Sequence, residues 1–267
     1  MPILTVNQKF RAVTSVAAAA APSEAALRTA EMFGIGLDES YEVTLYDNLR
    51  VDVRPGDVVY VTGPSGCGKS VLLARLAEAL LGEWPDARVA DLAAVHLPGD
   101  RAVIDLMRPP LEQALRTLSA AGLADAFLLL RTPQELSDGQ RWRLRLALAI
   151  QAVSLSPRAP TVRSGAHDPG DENLGACEST PDLTVGARHG NTVLLADEFC
   201  STLDRLCARA AAYRVRRTAS REGITVLAAS SHDDLLEDLA PDVLIAKHEG
   251  SRVEVLYADP SREEAQA

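Results

Sequence analysis

The stretch "GPSGCGKS", Gly63 to Ser70, constrains the fold of this chain more than any other. It follows a short apolar run, Val58 to Val61, and leads into "KSVLLARLAEALLG", where Val71, Leu72, Leu76 and Leu80 share one helical face and Gly82 is the expected stop. A strand, a glycine-rich turn and a helix in that order make a phosphate-binding loop. Gly63, Gly66 and Gly68, spaced by Pro64, Ser65 and Cys67, let backbone N–H groups turn towards phosphates, and the helix N-terminus adds positive potential. Lys69 is placed to reach the β- and γ-phosphates, and Ser70 to ligate Mg²⁺ through its hydroxyl. A glycine-rich turn with a chance lysine is the alternative, and the flanking elements speak against it.

The remaining pattern predicts an α/β fold with a mainly parallel sheet. From Tyr41 to Gly63, alternating apolar and polar residues, a Pro55-Gly56 turn and the apolar run read as strand, turn and buried strand. "TVLLADE" and "GITVLAASSH" are continuous apolar runs ending in polar residues, separated by the helical "LDRLCARAAAYRVRRTAS". Such alternation places function at the strand ends. Residues about 91–150 read as a small helical subdomain, broken by "LPGD" and by Pro109-Pro110 and ending in the amphipathic "QRWRLRLALAIQAV". Its arginines Arg141, Arg143 and Arg145 read as a solvated face. Residues 156–191, rich in Pro, Gly, Asp and Ser, read as a long surface loop or disordered insertion; His167, Cys177 and His189 within it match no familiar metal spacing. Residues 1–40 are expected to be a partly flexible leader, 41–250 the folded domain, and 251–267 a loose polar tail.

Composition excludes several alternatives. The formal net charge is −10 over 267 residues and only 4% are aromatic, so direct nucleic-acid binding is not indicated. No run reaches about 18 apolar residues, so a membrane role needs a partner chain. "KFRAVTSVAAAAAPSEA" is too weakly hydrophobic for a signal peptide, and the four cysteines lack paired metal spacing; a cytoplasmic protein is expected.

"LSDGQ", Leu136 to Gln140, decides the class. Standing directly before an arginine-containing helix, it resembles the signature motif of ATP-binding cassette ATPases, with Asp138 where glycine is commonest. The resemblance extends in order over about Tyr41 to Lys247. "TVLLADE" resembles the family's Walker B strand, "STLD", Ser201 to Asp204, its D-loop, and "ASSHDD" its switch histidine. By that resemblance, Asp197 holds Mg²⁺ through water, Glu198 polarises the attacking water, and His232 contacts the γ-phosphate. Ser137, with Asp138, Gly139 and Gln140, would contact the γ-phosphate held by the opposite subunit, so the implied assembly is a head-to-tail homodimer sandwiching ATP. Tyr41 stands near the family's adenine-stacking position, with Phe33 the other candidate and a core aromatic equally open.

Three departures bear on function. The family's Q-loop glutamine has no match in "VADLAAVHLPGDRAVIDLM", where His96 and Asp100 are the nearby polar residues; Phe199 and Cys200 replace the commoner proline and threonine; and the insertion splits the signature helix from Walker B. The resemblance implies hydrolysis of ATP to ADP and phosphate, and the missing glutamine leans the reading slightly to a soluble protein partner. The alternative is the ATP-binding subunit of a membrane transporter with a separate permease. A regulatory module without turnover is disfavoured by the presence of Glu198 and His232.

Overall fold

The computed structural model describes residues 3–13, 23–34, 40–154, 192–248 and 250–262. The expected insertion at 156–191, with His167, Cys177 and His189, lies outside the described residues. Among the described residues, eight strands form two sheets. β1 (Ile3–Val13) pairs antiparallel with β2 (Ser40–Asp52), Ile3 facing Asp52 and Val13 facing Ser40. Residues 1–40, expected as a partly flexible leader, thus supply a strand whose Leu4 and Val6 are buried in the core, together with α1 (Glu24–Phe33), capped by the Ser23 hydroxyl.

The larger sheet contains β3 (Val58–Thr62), β4 (Arg88–Asp91), β5 (Thr192–Ala196), β6 (Ile224–Ser230), β7 (Val243–Lys247) and β8 (Val253–Tyr257), in the spatial order β4-β5-β6-β3-β7-β8. The first five strands in that row are parallel, and β8 is antiparallel to β7. Every residue of β3 and of β6 is buried, which is why both read as unbroken apolar runs: helices cover both faces of a parallel sheet. On one face, α2 (Lys69–Glu83) packs Leu72, Leu73, Leu76, Ala77 and Leu80 against β3 and the β1–β2 ribbon, with Val71 only partly buried. Gly82 does not stop this helix. It ends at Trp84 (φ −121°), because the following Pro85 disfavours helical backbone in the residue before it.

On the other face lie α5 (Asp138–Ser154) and α6 (Arg205–Glu222), the latter capped at its N-terminus by the Asp204 carboxylate. Between β4 and α5 come α3 (Leu111–Ala120), α4 (Ala126–Leu129) and short 3-10 turns, gathered on a separate apolar cluster of Val103, Leu118, Leu123, Leu136 and Leu144. A short α7 (Leu236–Leu239) precedes β7. The arginines of α5 are not a purely solvated face. Arg141 pairs with Asp138, Arg143 donates to the Gly139 and Gly122 carbonyls, and the Nε of Arg145 is buried. The stretch expected as a loose tail instead adds β8 and Arg262, whose guanidinium grips both carboxylate oxygens of Asp57 at 2.7 and 3.1 Å. Both side chains are nearly inaccessible, and the pairing holds the Arg262 pKa above its ordinary value.

Candidate functional site

Three neighbouring parallel strands, β5, β6 and β3, end on the same edge of the sheet, with Ala196 level with Ala228 and Thr62 level with Ser230. Each strand end leads into candidate residues: Asp197 and Glu198 after β5, His232 after β6, and Gly63 to Ser70 after β3. The carboxyl edge of an open parallel sheet is where ligands bind, since helix N-termini and loop N–H groups converge there. Segments separated by more than 160 residues therefore meet through register alone.

The glycine loop is shaped by close packing from below. A Cβ on Gly63 (φ 149°) would overlap the Lys247 carbonyl, and one on Gly68 (φ 97°) would come within 2.9 Å of Leu45. Gly68 caps α2 with a left-handed backbone, so the helix opens directly at Lys69. The Lys69 ammonium folds over the loop and donates to the carbonyls of Gly63 and Pro64 at 2.8 and 2.7 Å. Ser70 is exposed beside it in the first turn of the helix.

After β5 the chain turns sharply. Glu198 takes a left-handed conformation (φ 50°), as does Cys200 (φ 61°), and neither is glycine. Backbone of this kind persists only where its surroundings hold it. Here the Asp197 carboxylate accepts from the Glu198 N–H at 3.0 Å, the Phe199 N–H donates to the Ala229 carbonyl at 2.7 Å, and Ser201 N–H closes the turn onto the Glu198 carbonyl at 3.0 Å. The side chain of Glu198 is thereby left exposed beyond the sheet edge. Phe199 and Cys200, which replace the family's commoner proline and threonine, are buried. Phe199 meets Trp142 of α5 edge-on, ring centroids 5.6 Å apart, and burial pushes the Cys200 thiol far up.

His232 is exposed, with its backbone fixed. Its N–H donates to the Ser230 hydroxyl at 3.2 Å and its carbonyl accepts from Tyr60 at 2.5 Å. Next to it, Thr62 donates to the Asp233 carboxylate at 2.5 Å. Burial pushes the Tyr60 hydroxyl up to about 12. Tyr60 and Thr62 carry no motif in the sequence; the available signal was a hydroxyl-bearing residue at alternate positions of an otherwise aliphatic strand, "VVYVT".

Ser137 and Gln140 cap α5 reciprocally: the Ser137 N–H donates to Gln140 Oε1 at 2.9 Å, and the Gln140 N–H donates to Ser137 Oγ at 3.3 Å. Gly139 lies so near the Thr202 carbonyl and Leu203 that a Cβ would come within 3.1 Å of both, which sets the signature turn against Ser201 to Asp204. Among the described residues, no hydrogen bond or ion pair joins Ser137 to Gln140 with the phosphate loop of the same chain. Tyr41 faces Ala12 across the β1–β2 ribbon, with its side chain outside what the structure describes, and Phe33 is exposed at the end of α1. His96 and Asp100 lie on the exposed chain after β4, and neither makes a contact that assigns it a role.

No family model matches the chain. Among curated relatives, the hemin import ATP-binding protein of Shewanella denitrificans is 33% identical over 144 residues, 43% of this chain and 56% of the relative. The aliphatic sulfonates import ATP-binding protein of Yersinia pestis is 32% identical over 191 residues, 62% of this chain and 66% of the relative. The vitamin B12 import ATP-binding protein of Citrobacter koseri is 34% identical over 140 residues, 44% of this chain. The chain spans little more than half the length of the first and last of these, 56% and 55%. In fold it resembles a dimeric bacterial ABC transporter cassette (TM-score 0.53, 16% identity, 82% of this chain and 94% of that one). A second structure of that same cassette, dimeric in a post-hydrolysis state with ADP and phosphate, gives a TM-score of 0.55 at 14% identity, covering 96% of this chain and 99% of that one. The α/β phosphate-loop core, the helical segment carrying "LSDGQ" and these likenesses agree: the chain belongs to the ATP-binding cassette ATPase family.

Proposed function

We propose that the chain binds MgATP and hydrolyses it to ADP and phosphate in a head-to-tail homodimer. The observation that carries this is the convergence of Gly63–Ser70, Asp197–Glu198 and His232 on one edge of three adjacent parallel strands. The N–H groups of the loop and the Lys69 ammonium bind the β- and γ-phosphates. The Ser70 hydroxyl and the Asp197 carboxylate are hard oxygen donors of the kind Mg²⁺ takes, and they stand at the ends of neighbouring elements of this site. When bound, the ion neutralises charge on the β- and γ-phosphate oxygens. Glu198 accepts a hydrogen bond from water and aims its oxygen at the γ-phosphorus; as that oxygen bonds to phosphorus, the bond from phosphorus to the bridging oxygen breaks, the water's proton passes through the Glu198 carboxylate to the inorganic phosphate formed, and ADP leaves. His232 contacts the γ-phosphate, and Ser137 with Gly139 of the opposite subunit closes the site.

The lean towards a soluble partner gives way to the transporter alternative. It rested on the missing Q-loop glutamine, whereas the three relatives named above are import ATP-binding proteins. Among the described residues no helix is long and apolar enough to cross a membrane, so the proposed partner is a separate membrane-spanning chain that ATP binding and hydrolysis move. Phosphate release by the purified chain tests the chemistry: wild type should release phosphate from MgATP and Lys69→Ala should not. Equal release by the two would overturn it. Purification from detergent-solubilised membranes tests the partner, with a stoichiometric multi-spanning chain expected and only water-soluble companions contradicting it.

A further inference from the structure

Lys247, at the end of β7, is 1% exposed, which is rare for a lysine. Among the described residues no carboxylate pairs with it. Its ammonium instead donates to the carbonyls of His248 (3.2 Å) and Gly250 and lies 5.3 Å from the ring centre of Tyr46, itself fully buried. Burial pushes the Lys247 pKa down, and the Cys67 thiol of the phosphate loop is near enough to interact with its charge.

The pair touches both ends of the loop. At the start, the Lys247 carbonyl fills the space where a side chain on Gly63 would stand. At the end, the Tyr46 hydroxyl donates to the Gly68 carbonyl at 2.9 Å, an oxygen that also accepts the first helical bond of α2, from the Leu72 N–H at 3.0 Å. Fixing that carbonyl fixes the plane of the Gly68–Lys69 peptide, and with it the direction of the Lys69 N–H and the start of the Lys69 side chain. We propose that Tyr46 and Lys247 are positioning residues that clamp the phosphate loop from beneath and add a buried positive charge under it, so that the loop is set for polyphosphate before nucleotide arrives.

This rests on the nucleotide-binding reading above. A preset loop spares the ordering cost of binding, and because it holds ground and transition states alike, its loss appears in affinity and KM rather than in kcat. Titration calorimetry with MgATP and steady-state phosphate release should be measured for wild type, Lys69→Ala, Tyr46→Phe and Lys247→Met. Tyr46→Phe should weaken MgATP binding and raise KM about three- to tenfold with kcat changed less than KM, and Lys247→Met, which keeps the main-chain carbonyl beneath Gly63 but removes the buried charge and its contact with the Tyr46 ring, should do so as well. If Lys247→Met does not fold, Tyr46→Phe, which removes a single oxygen atom, decides. Failure of the wild type to bind MgATP would overturn the nucleotide-binding reading itself. Binding by wild type that is lost in Lys69→Ala yet unchanged in Tyr46→Phe and Lys247→Met would overturn the clamp alone, as would a fall in kcat at constant KM.

Discussion

The hydroxyl of Tyr60 donates a 2.5 Å hydrogen bond to the carbonyl of His232, tying the strand that feeds the phosphate loop to the segment that carries the histidine. Tyr60→Phe leaves that carbonyl without its donor. Urea unfolding should show a loss of about 0.5–1.5 kcal/mol, the net worth of one hydrogen bond, and hydrolysis should fall more than MgATP affinity because the histidine backbone loosens.

The same hydroxyl makes stability pH-dependent at the alkaline end. Its folded-state pKa, raised by burial from 10.0 to about 12, means that its contribution is whole below about pH 10 and is lost as pH rises towards 12. Wild type should therefore lose stability across that window more steeply than Tyr60→Phe, and parallel curves would contradict the assignment.

Phe199 joins the turn after β5 to α5 through Trp142. Phe199→Ala should cost about 3–5 kcal/mol in denaturant unfolding, the range for deleting a buried aromatic side chain, and Phe199→Leu distinctly less. Because Glu198 sits in a left-handed turn immediately before it, hydrolysis by Phe199→Ala should fall even under conditions where the variant is folded.

Asp57 accepts from Arg262 through both carboxylate oxygens and from the Arg54 N–H at 2.8 Å. Arg262→Ala strands a buried carboxylate and should destabilise the fold by about 3–5 kcal/mol by chemical denaturation. A change under about 0.5 kcal/mol would show that the C-terminal segment contributes nothing to the domain.

The phosphate loop and the parallel sheet were legible because each is written locally: buried strands are apolar runs, and the glycines stand between a strand and a helix. β4 was not legible. Arg88 to Asp91 is a four-residue edge strand flanked by charge, and only its pairing with β5 makes it one. β1 is likewise defined by a partner some 40 residues on, and Arg262 meets Asp57 across 205 residues, so no local period announces either. Nothing in the sequence set Lys247 apart; its burial is a property of the loop and Tyr46 folded around it. Gly82 misled because propensity marks a weak point in a helix, while the stop was set by Pro85.

A site shared between two subunits ties association of the chains to bound nucleotide, and one elution measurement tests this. Glu198→Gln keeps size and hydrogen bonding but removes the carboxylate proposed to orient water, so MgATP should bind and persist. A ligand held by two chains shifts association towards the dimer. On size-exclusion chromatography Glu198→Gln should elute as a dimer with MgATP and as a monomer or weaker dimer without it, and adding Ser137→Arg should abolish the shift. Tight MgATP binding by a Glu198→Gln chain that stays monomeric at saturating nucleotide would contradict the account and leave a site complete within one subunit.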